Sequence, residues 1–306
     1  MSAEPLLALV GPTASGKTEA AVSVAEILHA EVVSVDSMLV YEGMDIGTAK
    51  PSPEQRARVP HHLIDVVGPS EAFTVARYQA LALAAVEGIA DRGHPVLLAG
   101  GSGLYFRAVV DRLRFPGTDP QTRAELEVEA AILGGQAMHE RLADVDPGAA
   151  EKIEPENVRR TVRALEVAAV TGRSFSSFAA PWERFDTTRV RAAGLELPRE
   201  VLASRIEARV GTMLQEGVMA EVAALVDRGF GGWLTATQAI GYAEFARHLA
   251  GELTLEEAVA GTVRRTKELA RRQMVWFRRD PRIRWFPVGE GGVGDLVDEV
   301  VGYLRG

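Results

Sequence analysis

Cysteine is absent from this sequence of 306 residues. The chain therefore cannot form disulfide bonds, zinc ribbons or a thiol nucleophile, and such usage is typical of a reducing compartment such as the cytoplasm. Long apolar runs are lacking too, because charged residues interrupt each hydrophobic stretch, and no basic leader precedes Leu6. We expect a cytoplasmic protein with neither a membrane span nor a targeting segment.

Positive charge is scarce overall. The net charge is −8, which argues mildly against a nucleic-acid partner, because phosphate contacts need local positive charge. One segment departs from this average: Arg264 to Arg284 holds nine basic residues and two acidic ones. A helix is predicted over Leu255 to Arg279, and the basic residues sharing one of its faces are Arg264, Lys267, Arg271 and Arg278. The apolar residues expected to pack are Leu269, Val275 and Trp276. On charge alone, a nucleic-acid surface and a solvated face paired with acids are equally open.

The segment GPTASGKT fills the phosphate-loop template G-x-x-x-x-G-K-[ST] at every position. It follows the apolar run Leu6 to Val10 and precedes the helix-prone stretch Glu19 to Leu28, so its context is strand, loop and helix. Nucleotides, diphosphate esters and free diphosphate present similar oxygens to such a loop. In this motif Lys17 supplies a positive charge, and Thr18 supplies a hydroxyl for Mg²⁺. The residues predicted to bind phosphate are Gly11, Pro12, Thr13, Ala14, Ser15, Gly16, Lys17 and Thr18.

Strands and helices alternate in the first third of the chain. Strands are predicted at Leu6 to Val10, Glu31 to Val35 and Pro95 to Ala99, with a helix over Val75 to Arg92, and this alternation indicates a parallel sheet. From about residue 115 to 185 only helix patterns occur; they include Pro120 to Leu133 after the cap Asp119, and Val158 to Val170 before Gly172. A strand at Arg189 to Leu197 and further helices from Pro198 nearly to the end complete the prediction.

This pattern predicts an α/β fold: a P-loop parallel sheet core with covering helices and an all-helical insertion domain. The expected boundaries are 1–116 for the first part of the core, 117–187 for the insertion, and 188–306 for the second, mostly helical part. With 47% hydrophobic residues, the chain is able to form a sizeable core.

Two further blocks carry candidate chemistry. Asp36 follows the second strand at the sheet edge where α/β proteins bind ligands, beside the phosphate loop. A carboxylate there can bind Mg²⁺ through water, accept a proton, or cap the next turn. The strand in PVLLAGGSGLYF ends in Gly100, Gly101 and Ser102, whereas many nucleotide triphosphatases have a magnesium-ordering acid there. ATP hydrolysis is therefore disfavoured.

Taken together, the motifs resemble the bacterial tRNA dimethylallyltransferase (IPP transferase) family, whose members prenylate the adenosine next to the anticodon. The motifs stand in the family's order between Leu6 and Arg279. They are GPTASGKT, SVDSMLVYEGMDIGTAKP, PHHLID, AGGSGLYF, NVRRTVRALEV, RIEAR, AIGY and RRQMVWFR.

The resemblance implies a role for each matching residue. The loop would hold the diphosphate of dimethylallyl diphosphate, with Mg²⁺ bound through Thr18. Asp36 would be the general base for the adenine amine. Ser102 stands where the family usually has threonine, close to the reacting groups, and Arg209 would clamp the departing diphosphate. Arg205 lies four residues before Arg209, and these like charges repel unless an anion or nearby acids screen them.

The resemblance also implies the anticodon stem-loop of tRNA as partner, with the insertion as a tRNA-binding domain. We further expect a monomer. Arg159 and Arg163 form one edge suited to phosphate, although ion pairing with Glu151, Glu154, Glu156 or Glu166 is the alternative. Ala243 stands where a basic residue is common. The predicted tRNA contacts are Asp36, Ser37, Met38, Leu39, Ser102, Arg123, Arg159, Arg160, Thr161, Val162, Arg163, Gln238, Ala239, Ile240, Gly241, Tyr242 and Ala243.

Other functions are open from the sequence. A small-molecule kinase would use the same loop for ATP, and a prenyltransferase acting on free AMP or ATP would need no tRNA surface. A non-catalytic tRNA-binding protein is weakened by the intact loop and by Asp36. The helical insertion and the basic segment favour tRNA over a free nucleotide.

Overall fold

The computed structural model describes residues 5–178, 182, 184–289 and 292–306. The chain divides into two compact units, one of Met1–Arg112 with Asp186–Gly306 and one of Leu113–Phe185. Among the described residues, no helix is both long and apolar enough to cross a membrane.

A parallel sheet forms the centre of the first unit, as predicted. Its strands are β1 (Leu6–Val10), β2 (Glu31–Ser34), β3 (His61–His62), β4 (Val96–Gly100), β5 (Val190–Glu196) and β6 (Ile283–Pro287). The six strands lie in the order β3-β2-β4-β1-β5-β6, and all of the paired neighbours run parallel. In register, Leu9 of β1 lies between Ala99 of β4 and Ala193 of β5. The carboxyl ends of β1, β2 and β4 therefore meet at one edge.

Helices follow or connect these strands. In the first unit they are α1 (Lys17–Leu28), α2 (Pro53–Arg58), α3 (Val75–Asp91), α4 (Gly103–Val110), α8 (Arg199–Glu216), α9 (Val218–Asp227), α10 (Tyr242–Leu249), α11 (Leu255–Phe277) and α12 (Val297–Arg305). In the second unit they are α5 (Pro120–Val145), α6 (Pro147–Ala150) and α7 (Val158–Thr171). Short 3₁₀ segments are Phe175–Phe178, Phe230–Gly232, Ala236–Gln238 and Gly294–Leu296.

Both faces of the sheet are buried, which explains why its strands read as continuous apolar runs. On one face, Ala8 and Val10 of β1 share a cluster with the buried rings of Tyr78 and Phe106. On the other face, Leu9 packs in a cluster with residues of α1 and α12, such as Val22 and Val300. The sheet core is thus a three-layer arrangement that fixes the loops at its carboxyl edge.

Helices are the regular secondary structure found in the described residues of the second unit. Its core is formed by apolar side chains of α5, α6 and α7, including Met138, Leu142 and Leu165. The predicted helix end at Leu133 is confirmed locally, because Gly134 has φ 82° and ψ 165° and breaks α5 into two segments. Asp119 caps the first segment by accepting hydrogen bonds from two backbone amides, and Gly172 ends α7 with φ 65°.

Two strands were missed by the sequence analysis. β3 has only two residues, which are too few for a periodic signal in the sequence. It is extended because it pairs with β2. β6 lies at the sheet edge, where β5 is its one partner strand among the described residues. Only Ile283 and Phe286 of its five residues are buried, and it ends in Pro287. The prediction that helices continue nearly to the end of the chain is therefore wrong at Ile283–Pro287.

Close strand packing makes a specific glycine necessary. A Cβ on Gly100 would lie 2.5 Å from the carbonyl oxygen of Val35, which is backbone and unable to move aside cheaply. We expect Gly100→Ala to lower the free energy of unfolding by about 1–3 kcal/mol. A Cβ on Gly211 in α8 would meet no described atom within 4 Å apart from its own helix backbone and chain neighbours, so Gly211→Ala should raise the free energy of unfolding by about 0.5–1 kcal/mol. Chemical denaturation measures both; equal stabilities for the two variants would contradict the packing account.

Candidate active site

The loop between β1 and α1 has the geometry of an anion cradle. Ala14 has φ 62° and Gly16 has φ 89°, a left-handed conformation that turns successive backbone amides inward. Any residue other than glycine at position 16 would also be too close to Val293, because its Cβ would lie 2.7 Å from Cγ1 of that side chain. Among the residues that the structure describes, no side chain caps the first turn of α1, so the amides of that turn stay available to an anion.

A cavity of about 390 Å³ opens beside this loop. Its wall brings together residues that the sequence analysis predicted separately: Lys17 and Thr18 from the start of α1, Asp36 after β2, and Arg209 from α8. Gln273 of α11 is also part of the wall. Apolar lining is supplied by Ala21, Val32, Leu39, Ala49 and Ile64. One cavity thus offers cationic, acidic and apolar groups.

Lys17 is the most strongly perturbed cation of this cavity. Its Nζ donates a hydrogen bond to the carbonyl oxygen of Pro12 at 2.5 Å. The residue is partly exposed along the cavity, yet its ammonium group is desolvated, and this burial lowers the pKa of Lys17 from 10.5 to about 7. Asp36 opposes the shift, whereas the positive charge of Arg209 adds to it. An anion in the cavity would restore the charged form of Lys17.

Arg209 and Gln273 hold the same loop residue. Arg209 Nη1 donates to Oγ1 of Thr13 at 3.1 Å, and Gln273 Oε1 accepts a hydrogen bond from the backbone N–H of Thr13 at 2.8 Å. Burial lowers the pKa of Arg209, and the carboxylates of Asp36 and Glu216 counteract this effect. Gln273 was not predicted, because its only sequence signal was its place in the motif RRQMVWFR.

Asp36 is partly exposed, and its two carboxylate oxygens differ in their contacts. Oδ1 accepts a hydrogen bond from the backbone N–H of Met38 at 2.9 Å, which is the turn-capping role foreseen as an alternative. Within the described part of the chain, Oδ2 makes no hydrogen bond, so it remains able to accept a proton. Capping and proton transfer are therefore compatible in one side chain.

Ser102 occupies the turn between β4 and α4. Its backbone N–H donates to the carbonyl oxygen of Val35 at 3.0 Å, and its Oγ accepts from the backbone N–H of Tyr105 at 3.3 Å. The hydroxyl is therefore a helix cap that still has a proton to donate. Ser102 is not among the residues that line the cavity, and its catalytic role stays a prediction.

Comparison with known proteins agrees with this geometry. A sequence model described as IPP transferase matches residues 39–280. The chain belongs to the IPP transferase family. It is 50% identical over 293 residues to a tRNA dimethylallyltransferase of Kineococcus radiotolerans, covering 94% of this chain and 92% of the relative. A tRNA dimethylallyltransferase of Moorella thermoacetica is 47% identical over 310 residues, with coverages of 98% and 95%.

A solved member of the IPP transferase family also shares the fold. The crystal structure of the full-length tRNA isopentenylpyrophosphate transferase of Bacillus halodurans is 41% identical to this chain, with a TM-score of 0.70 and coverages of 99% and 97%. The family resemblance and the α/β P-loop fold predicted from the sequence are confirmed.

In the helical unit, the structure pairs two of the arginines that were predicted to contact tRNA. The carboxylate of Glu166 is fully buried and accepts hydrogen bonds from Arg123 at 2.5 Å and from Arg163 at 2.8 Å. Arg163 also donates to the carbonyl oxygens of Pro116 and Gly117. The ion-pairing alternative is thus present for Arg163.

The remaining predicted residues of α7 differ in exposure. Arg159 and Arg160 are exposed, whereas Thr161 and Val162 are buried in the helical core. Contact with an RNA through the side chains of this segment would therefore fall to the exposed arginines. The tRNA-binding role of the unit stays a prediction.

The predicted contact segment Gln238–Ala243 is largely interior. Ala239 and Tyr242 are buried, Ile240 and Ala243 are partly exposed, and Gln238 is exposed. The hydroxyl of Tyr242 donates to Glu221 at 2.6 Å. A side-chain contact with tRNA in this segment would therefore come chiefly from Gln238.

Glu221 is a structural residue that the sequence analysis missed. Its carboxylate accepts hydrogen bonds from the backbone amides of Asp45, Ile46 and Gly47 at 2.8, 2.8 and 3.1 Å. These residues lead directly into Thr48–Pro51, which line the cavity. Because the acid and its partners lie far apart in the chain, no local pattern could have indicated this support.

The basic segment Arg264 to Arg284 is partly paired. Ion pairs involve Arg265, Lys267, Arg278, Arg282 and Arg284, with Arg282 almost fully buried against Asp111 and Asp280. Exposed arginines with no ion pair among the described residues are Arg264, Arg271, Arg272 and Arg279. Of the apolar residues expected to pack, Leu269 is partly buried, and Trp276 lies against Gly103 although it is 39% exposed. Val275 is 46% exposed, because the buried face of α11 carries Ala258, Gly261, Ala270 and Phe277.

The shifted pKa of Lys17 makes stability depend on pH. Its pKa is about 7 in the folded protein and 10.5 as the reference for the unfolded chain, so the unfolded state binds more protons between these values. The free energy of unfolding therefore rises with pH between about 7 and 10.5. Below pH 7, Lys17 is charged in both states, and its buried charge destabilises the folded protein to the full extent. We expect Lys17→Met to have a higher free energy of unfolding than the wild type at pH 6. This difference in free energy should become smaller towards pH 10.

Urea unfolding of both proteins at several pH values measures this difference, since titrations shared by the two proteins cancel. A gap that does not change with pH would contradict a desolvated ammonium group.

Proposed function

We propose that this protein transfers a dimethylallyl group from dimethylallyl diphosphate to the exocyclic N6 amine of the adenosine 3′-adjacent to the anticodon of tRNA, releasing diphosphate. The observation that carries the proposal is the convergence of the phosphate loop, Lys17, Arg209 and Asp36 on one cavity. Relatives about half identical over nearly the whole chain carry the name tRNA dimethylallyltransferase, and this supports the same reaction here.

The donor's diphosphate would lie against the loop. Inward-turned amides and the first turn of α1 supply hydrogen-bond donors, while Lys17 and Arg209 supply positive charge. As the bond between the prenyl C1 and the diphosphate oxygen breaks, its electron pair leaves with the diphosphate. Two desolvated cations stabilise that added charge more strongly than exposed cations would.

The acceptor nitrogen would meet the donor beside Asp36. The N6 lone pair forms the new bond to C1, and the proton that the nitrogen loses passes to the carboxylate. Oδ1 is held by the amide of Met38, which fixes the orientation of the side chain, and Oδ2 is open. The resemblance would also place the hydroxyl of Ser102 near the reacting groups, although this residue does not line the cavity.

A divalent cation, Mg²⁺, is part of the proposal. The described residues contain no group of three or more His, Cys, Asp or Glu side chains able to hold a metal ion by themselves. The cavity does offer oxygen donors, the hydroxyl of Thr18 and the carboxylate of Asp36. This donor set fits Mg²⁺, which keeps several waters and binds together with substrate phosphates. When bound, the cation would neutralise the diphosphate charge.

The alternatives receive less support. β4 ends in Gly100, Gly101 and Ser102, so the acid that orders Mg²⁺ in many nucleotide triphosphatases is missing from this strand end. Exposed arginines on α11 provide positive charge that a free nucleotide would not need. Because tRNA is the proposed acceptor, we place the reaction in the cytoplasm. We also propose that the protein acts as a monomer.

One incubation tests the proposal. Labelled dimethylallyl diphosphate is offered with tRNA, AMP or ATP in separate reactions, and the nucleosides are analysed after digestion. We expect label only in tRNA, on the base of an adenosine. Label in AMP or ATP would indicate the free-nucleotide prenyltransferase, and no transfer to any acceptor would contradict prenyl transfer.

Asp36→Asn should separate chemistry from binding. The variant keeps an oxygen for the amide of Met38 but cannot accept the proton, so we expect the single-turnover rate to fall roughly 10²- to 10⁴-fold. Affinity for tRNA should stay within about twofold in filter binding. Glu42→Gln, which neutralises an exposed carboxylate in the same segment, is the control and should keep the wild-type rate. An unimpaired Asp36→Asn would exclude this residue as the base.

The tRNA surface can be tested through salt. If Arg271 and Arg272 contact phosphates, replacing both with Ala should reduce the slope of log affinity against log salt by about 0.7–0.9 for each lost contact. The control removes two arginines already held in surface ion pairs, Arg189 with Asp186 and Arg247 with Glu252. A slope unchanged in the Arg271/Arg272 variant would place the tRNA surface elsewhere.

A further inference from the structure

The hydroxyl of Ser34 is a buried polar group beside the cavity. Ser34 is the last residue of β2, it is 3% exposed, and its Oγ has no hydrogen-bond partner among the residues that the structure describes. Its carbonyl oxygen is satisfied, because it accepts from the hydroxyl of Tyr78 at 2.8 Å. Ser34 is one of the residues that line the same cavity as Lys17, Thr18 and Asp36.

An unpaired hydroxyl is a poor structural choice at this position. Burying a polar group without a partner costs free energy, and alanine would occupy the same place without that cost. Alanine is also the residue found across the sheet, since Ser34 pairs in register with Ala99 of β4. The hydroxyl therefore indicates a partner that is present only when the cavity is filled.

The charges around Ser34 indicate which partner it is. Donors for diphosphate oxygens are already supplied by the loop amides, Lys17 and Arg209. Acceptors are fewer: Asp36 gives one oxygen to the amide of Met38, and the hydroxyl of Thr18 is the remaining predicted cation ligand. Mg²⁺ bound to a substrate diphosphate retains waters, and each of those waters needs acceptors for its hydrogens.

We propose that Ser34 is a binding residue for the hydrated divalent cation of the donor complex, its Oγ accepting a hydrogen bond from a water of the cation's shell. This inference rests on the proposed function, because it takes the cation and diphosphate to share this cavity. It adds to that function a residue of β2 that positions the cation opposite the loop.

Binding of inorganic diphosphate to the full-length protein tests the inference without any turnover. Isothermal titration is carried out with Mg²⁺ and with EDTA, on the wild type and on Ser34→Ala. We expect Ser34→Ala to bind diphosphate about 5- to 10-fold more weakly with Mg²⁺ and as tightly as the wild type in EDTA. The free Ser34→Ala protein should unfold at the same temperature as the wild type or higher.

Thr262 provides a matched control. Its hydroxyl is also buried, at 3% exposure, but it lies in α11, donates to the carbonyl oxygen of Ala258 and does not line the cavity. Thr262→Val should leave diphosphate affinity unchanged under both conditions.

Each other outcome overturns the inference in a recognisable way. Wild-type affinity of Ser34→Ala with Mg²⁺ would show that the hydroxyl binds only a solvent water. An equal loss in EDTA would show contact with the diphosphate itself. If the wild type binds no diphosphate under either condition, the donor site of the proposed function fails together with the inference.

Discussion

Two positive charges, on Lys17 and Arg209, lie beside one phosphate loop in a cavity that desolvates both of them. Burial lowers the pKa of each, and the nearby carboxylate of Asp36 compensates only in part. Such an arrangement is unfavourable in the free protein and becomes favourable when an anion enters. The sheet edge and the surrounding helices hold this anion-dependent site in place, and the free carboxylate oxygen of Asp36 lies beside it.

The parallel sheet explains how distant residues reach that site. Strands β1, β2 and β4 end at the same edge, so strand pairing places the loop, Asp36 and the turn at Ser102 along that edge. Helices α8 and α11 then supply Arg209 and Gln273, both of which bind Thr13. Glu221 of α9 fixes residues 45–47, which lead into another part of the cavity wall. The site is therefore a product of the whole first unit.

Local sequence patterns predicted the parts of this arrangement that local physics determines. β1, the loop and α1 follow one another with a complete motif, and the cap Asp119 and the helix ends at Leu133 and Gly172 follow backbone chemistry. Contacts between distant residues were out of reach: Glu221 lies 174 to 176 residues from its amide partners, and Gln273 lies 260 residues from Thr13. The pairing of Arg163 with a buried acid likewise depended on tertiary burial of Glu166.

The most direct test of the conditional charge is the pKa of Lys17 itself. The chain has four lysines, Lys17, Lys50, Lys152 and Lys267, so a titration of labelled lysine side chains by NMR resolves each, with Lys17→Met assigning the signal. We predict a pKa near 7 in the free protein, rising by at least about one unit when inorganic diphosphate is bound. A pKa near 10.5 in the free protein, or one that diphosphate leaves unchanged, would contradict the account.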